Sequence, residues 1–165
     1  MWHQLLHLAA HALKGYLEHR ATQHHALPAV PDYSFEQHVR HLAGQTGVPL
    51  VALKPGRATF EPRFKGRSFI TVLLNQASNI SVGMFSNIRF PVGRVPAAVR
   101  SWLSGFDSGS GFELDTIDCP DGTFVIGQVS GPASMLTPLA FEKTLDEMML
   151  RLALIDEWII EQDYA

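Results

Sequence analysis

Residues 134–159 read SMLTPLAFEKTLDEMMLRLALIDEWI, and the reading of this stretch decides the fold. Thr137-Pro138 has the form of a helix start. A hydroxyl cap is followed by a residue whose fixed φ suits the first turn and whose missing N–H costs nothing there. Nothing then breaks a helix until about Gln162. Successive residues step by about 100° around a helix axis. On that wheel Phe141, Leu145, Met148, Met149, Leu152, Ile155, Ile159 and Ile160 share one face, the core side. Full burial of each is worth on the order of 1.5–3 kcal/mol, so this helix largely sets the fold. Leu139, Leu150, Leu154 and Trp158 fall around the other side. A helix that is apolar nearly all round is covered on both sides. Either the N-terminal helix or a second subunit is expected to pack there, and Leu150, Leu154 and Trp158 are the expected partner or dimer surface.

The sheet lies upstream, in VPLVALKPGRATFEPRFKGRSFITVLLNQASNISVGMFSNIRF, residues 48–90. Lys65-Gly66 and residues 75–79 are turn signals, which places strands near 57–64, 67–74 and 79–86 in an antiparallel meander. Residues 48–53 supply a further short strand. In the first of the three, Ala58, Phe60 and Phe64 alternate with Arg57, Thr59, Glu61 and Arg63. One face is thus apolar and the other mostly basic. Pro62 cannot donate to a ladder, which puts this strand at a sheet edge. Arg57, Arg63, Lys65 and Arg67 then form an expected surface for an anion or an acidic protein segment. No aromatic interleaves with them, so nucleic acid is not the expected partner. A solvated edge face carrying charges is also ordinary protection against stray pairing.

The remaining elements follow from local signals. Ser34 with Gln37 three residues on suggests a capped helix whose stripe is Phe35, Val39, Leu42 and Ala43, ended by Gly44 or Gly47. Residues 94–104 suit a short helix with Pro96 near its first turn. Residues 112–117 and 123–129 form a hairpin around Cys119-Pro120-Asp121-Gly122, and 106–111 is a flexible connector. Residues 1–20 fit an amphipathic helix, and Pro28 and Pro31 stop it from continuing. The expected organisation is an N-terminal helical appendage (1–21), a linker (22–33) and one α+β domain (34–165). Its order is α-α-β-β-β-α-β-β-α, with a twisted antiparallel sheet of about five strands packed by helices.

Composition narrows the class. The chain has 165 residues, 46% apolar and 18% charged, which suits one globular domain. No apolar run approaches the roughly 20 residues needed to span a bilayer. Histidines interrupt the N-terminal apolar stretch, unlike a secretory signal, so the cytoplasm is the expected location. Cys119 is the single cysteine, which rules out an intrachain disulfide or thiolate zinc site. The net charge of −3 hides a segregation. Residues 54–100 hold eight basic residues and one acid, a net +7, whereas 101–165 hold two basic residues and twelve acids, a net −10. Such halves complement each other within one fold or between molecules.

Specific chemistries find little support. All eight histidines lie in the first 41 residues, and His3 and His7 have the i, i+4 spacing of a metal pair. No third ligand accompanies them, and the polar side of an amphipathic helix accounts for their spacing. His38 and His41 lie one turn apart and read as surface residues. Cys119 has no neighbouring base, the serines of 106–111 are not in a G-x-S-x-G elbow, and Asp115, Asp118 and Asp121 lack the spacing of a calcium loop. Asn79-Ile80-Ser81 is a sequon without a secretory route. No cofactor, metal or catalytic residue is expected, and the chain does not read as an enzyme.

The element order, together with the texture of SMLTPLAFEKTLDEMMLRLALIDEWI, resembles the type III secretion chaperone-like fold, which includes bacterial YbjN-type proteins. The resemblance covers roughly residues 34–162. It implies protein binding, often as homodimers, with no catalytic residues. Secretion chaperones are more acidic than a chain with a pI of about 6.2, so the YbjN-type is the nearer of the two. The expected function is a non-catalytic protein-binding module, chaperone-like or regulatory, partnered by another protein or a second copy of itself. The alternative is a small ligand-binding protein or enzyme with a pocket between sheet and helices.

Overall fold

A computed structural model describes residues 33–105 and 112–164. The expected N-terminal helix, with His3 and His7, lies outside the described residues. So do the connector 106–111 and all but the last residue of the linker.

Helix α1 (Phe35–Thr46) leads into strands β1 (Leu50–Lys54), β2 (Arg57–Phe60), β3 (Arg63–Phe64), β4 (Arg67–Ser68), β5 (Thr71–Gln76) and β6 (Asn79–Phe90). Helix α2 (Ala97–Gly105), strands β7 (Glu113–Cys119) and β8 (Gly122–Pro132), a single 3-10 turn (Ala133–Met135) and helix α3 (Pro138–Glu161) complete the order. The fold is α+β. Six strands form one sheet in the order β1-β2-β5-β6-β8-β7, while β3 and β4 make a separate hairpin. Every pairing is antiparallel.

Helix ends follow the capping chemistry. The Ser34 hydroxyl accepts the Gln37 N–H at 3.3 Å, and Gly47, at φ 71°, donates to the Ala43 carbonyl. Gly47, not Gly44, is therefore the stop, because the left-handed cap needs a residue without a Cβ. The Thr137 hydroxyl accepts the Ala140 N–H at 3.2 Å, with Pro138 at the first helical position. Helix α2 starts at Ala97, three residues later than expected, because the Pro96 carbonyl accepts from both Val99 and Arg100.

Alternation along the strands sorts side chains onto two faces. Phe60, Leu73, Val82, Met84 and Val125 face the helices and join Val39, Leu42, Val99, Phe141, Leu145, Met148 and Leu152 in the main core. The rings of Phe60 and Phe141 meet edge-on at 5.0 Å, tying β2 to α3. The opposite face carries Val72, Leu74, Phe85, Ile117 and Ile126, also buried.

Three expectations need correction. The single strand at 57–64 is broken, since β2 ends at Phe60 and β3 begins at Arg63. Pro62 lies in that gap, where its carbonyl accepts the Phe69 N–H at 2.9 Å. It terminates pairing instead of marking an edge, and β2 is interior, flanked by β1 and β5. The strand at 67–74 is likewise split into β4 and β5. Ile160, placed on the core face of the last helix, is 52% exposed. On the helical wheel it stays inside the buried arc, about 80° from Leu152, but it lies in the last turn, beyond Ile159, the last buried residue of the helix.

Candidate protein-binding surface

The last helix shows two unlike sides. Its inner arc is buried from Phe141 to Ile159. Leu150 and Leu154 lie on the opposite side, 44% and 52% exposed, and Leu139 is also exposed. Each of the two leucines sits about 160° from Leu152 on the wheel, on either side of the outermost line. Lys143, Asp146, Glu147, Glu157 and Glu161 surround them, all exposed. The result is a leucine pair in a mostly acidic frame.

Trp158 behaves differently from the two leucines. Its indole stacks on Trp102 of α2, with centroids 4.5 Å apart and planes 8° from parallel, and Tyr164 lies 6.0 Å away. Trp158 is half-buried, so one ring face belongs to the α2–α3 contact. An aromatic pair of this geometry contributes about 0.5–1.5 kcal/mol beyond its buried area.

The four basic residues of the second expected surface are spread over three pieces of backbone. Arg57 starts β2 and is half-buried, paired across the sheet with Lys54. Arg63 and Lys65 are exposed on the β3–β4 hairpin, where the Lys65 ammonium lies 5.4 Å from the Phe64 ring centroid. Arg67 is half-buried, and its charge acts on a carboxylate of α3. The structure thus brings Arg63 and Lys65 together and leaves Arg57 at the far end of β2, about 10 Å of strand away from Phe60.

That carboxylate, Asp156, was not singled out in the sequence. It is fully buried on the inner arc of α3. Its Oδ2 accepts the Asn87 N–H at 3.0 Å, while Oδ1 has no partner. Burial pushes its pKa up to about 6, against the opposing pull of the Asn87 N–H and the Arg67 charge. Asn87 lies where the β6–β8 register shifts, between Phe85 and Arg89. A backbone N–H that misses the ladder must find another acceptor, and Asp156 supplies it. The signal in the sequence is position: of the two acids between Leu152 and Ile159, Asp156 falls inside the apolar arc and Glu157 outside it.

Cys119 and His38 are both placed in structural settings. Burial, followed by the charges of Asp118 and Asp121, lifts the Cys119 thiol to about 11. The thiolate is the reactive form, so native Cys119 is expected to react with iodoacetamide at neutral pH at least about 100-fold more slowly than in denaturant. Equal rates, followed by mass spectrometry, would overturn this. The His38 ring is held on both sides. Tyr33 Oη lies 2.7 Å from Nδ1 and the Leu136 carbonyl 2.8 Å from Nε2. A carbonyl only accepts, so Nε2 carries the proton and Nδ1 accepts from the tyrosine. Among the described residues no cluster of three histidine, cysteine or acidic side chains could hold a metal ion. No helix among them is long and apolar enough to cross a membrane.

No family model and no curated protein sequence matches the chain. Among solved structures, a chain from the crystal structure of the ExsC–ExsE complex is similar, with a TM-score of 0.52 and 18% sequence identity. The match covers 73% of this chain and 92% of that one. At this identity the likeness is one of fold. It supports the α+β fold expected from the order of the elements.

Proposed function

We propose that this chain is a non-catalytic protein-binding module of the chaperone-like kind, acting in the cytoplasm as a homodimer. The observation that carries the reading is the leucine pair Leu150 and Leu154, exposed on the helix that organises the core. Large apolar side chains side by side on a rigid helix favour a protein partner over solvent. The similar solved structure is itself a complex of two proteins, which agrees with this reading. The YbjN-type remains the nearer kin on charge, given the pI of about 6.2.

A second copy suits the geometry of α3. An antiparallel two-fold pairing centred on Leu152 sets Leu150 against the partner's Leu154 and Lys143 against the partner's Glu161. Glu147 then falls opposite the partner's Glu157, and that repulsion keeps the affinity modest. The exposed Arg63 and Lys65 suit an acidic segment of a further protein. Light scattering is expected to give about twice the chain mass of 18.3 kDa. The Leu150→Glu, Leu154→Glu double variant is expected to give the single-chain mass with an unchanged melting curve. A wild type that stays monomeric up to millimolar concentration would sink the dimer.

A further inference from the structure

We propose that the cleft between α1 and the start of α3 binds the oxyanion of a small ligand, a carboxylate or a phosphate. This goes beyond the protein-binding reading and does not depend on it. The cleft encloses about 530 Å³, within the range typical of small-molecule sites. Pro132, Leu136 and Pro138 give it apolar walls. Its polar lining comes from Tyr33, the two imidazoles of His38 and His41, and the hydroxyls of Ser78, Ser134 and Thr137. Among the described residues no carboxylate lines it, although the chain from Ser101 onward carries twelve acids.

Two independent features point to an anion. The first is the N-terminus of α3, a helix of 24 residues with no acid in its first turn. Aligned peptide dipoles place roughly half a positive charge at such an end, and no side chain of that turn neutralises it. The second is Ser78, in the turn between β5 and β6. Ser78 is 7% exposed and its hydroxyl has no hydrogen-bond partner. Its carbonyl accepts the Ala133 N–H at 2.7 Å, which fixes it against the 3-10 turn. A buried hydroxyl without an acceptor is costly, and an oxyanion in the cleft supplies that acceptor.

The walls are set before any ligand arrives. His38 is locked between Tyr33 and the Leu136 carbonyl, which ties α1 to the segment that leads into α3. Both of its nitrogens are used, so it shapes the site and does not donate to the ligand. His41, exposed one turn along, has an N–H to offer at the mouth. A ligand with an apolar body and one oxyanion matches this division of walls and donors.

The test is an NMR titration of the full chain with sodium butyrate and, separately, with inorganic phosphate, at constant ionic strength held by chloride. The amides of Leu139 and Ala140 and the His41 ring are the reporters. Saturable shifts with butyrate alone would identify a carboxylate with an apolar tail, and with phosphate alone a phosphate. Ser78→Ala is expected to weaken binding about tenfold, the usual scale for a hydrogen bond to a charged group. Thr137→Asp keeps a good helix cap while placing a carboxylate at the helix end, and is expected to abolish binding with the fold intact. Linear shifts with both probes, or unchanged affinity in Thr137→Asp, would overturn the proposal.

Discussion

Replacing Asp156 by asparagine is expected to stabilise the protein by about 2 kcal/mol at neutral pH. Burial lifts the carboxyl to about 6 in the folded chain, against an ordinary value of 3.8. Between these two values the folded state holds a proton that the unfolded state has released. Stability therefore falls as pH rises through that window, and above it stays reduced by about 3 kcal/mol. Below pH 3.8 both states are protonated and the penalty vanishes. Asparagine carries no charge and keeps an oxygen for the Asn87 N–H. Its NH₂ group takes the place of an oxygen that has no partner, which offsets about 1 kcal/mol. Urea denaturation of both proteins from pH 4 to pH 7 should show the variant gaining on the wild type as pH rises. The melting temperature at neutral pH should rise by about 4–8 °C. Parallel stability curves would show that Asp156 bears no such cost.

The opposite effect is expected at Gly122, where β8 leaves the hairpin turn. A Cβ at this position would stand 2.6 Å from the Phe90 carbonyl oxygen and press into the Arg89 side chain. The carbonyl belongs to β6, which pairs with β8 through Phe90 and Thr123, so it cannot retreat without breaking the ladder. Gly122→Ala is expected to cost about 3 kcal/mol and to lower the melting temperature by about 6–12 °C. Gly131→Ala serves as the control. It lies in the same strand with nothing within 4 Å of the added carbon, and is expected to change stability by no more than about 0.5 kcal/mol. Equal effects at the two positions would disprove the steric account.

What was legible in the sequence was local or periodic. The caps at Ser34 and Thr137, the hairpin around Pro120-Asp121 and the inner arc of α3 depend on neighbours within a turn or on regular spacing. The short strand expected at 48–53 became β1 and brought the main sheet to six strands. Pro62 misled because a missing N–H signals either an edge or an interruption, and only long-range pairing distinguishes them. Asp156 escaped because a wheel reading assigns charges to solvent, whereas its partner Asn87 is 69 residues away in sequence. The α1–α3 cleft was beyond reach for the same reason. His38 meets Leu136 across 98 residues, and Ser78 arrives from a turn that the sequence marks only as a turn. That Leu150 and Leu154 lie off the core face is legible because both belong to a single helix.

The strand order has a consequence for synthesis on the ribosome. Strand β6 forms one edge bond with β5 as soon as both emerge, but its other edge waits for β8, which inserts between β6 and β7. Helix α3 follows the whole sheet in the chain, so Phe60, Leu73 and Met84 stay uncovered until it appears. The nascent protein thus carries an open β6 edge until β8 has emerged, and a bare apolar face until α3 has, two features that invite aggregation. The emerging chain is therefore most in need of shielding in the interval before α3 closes the core.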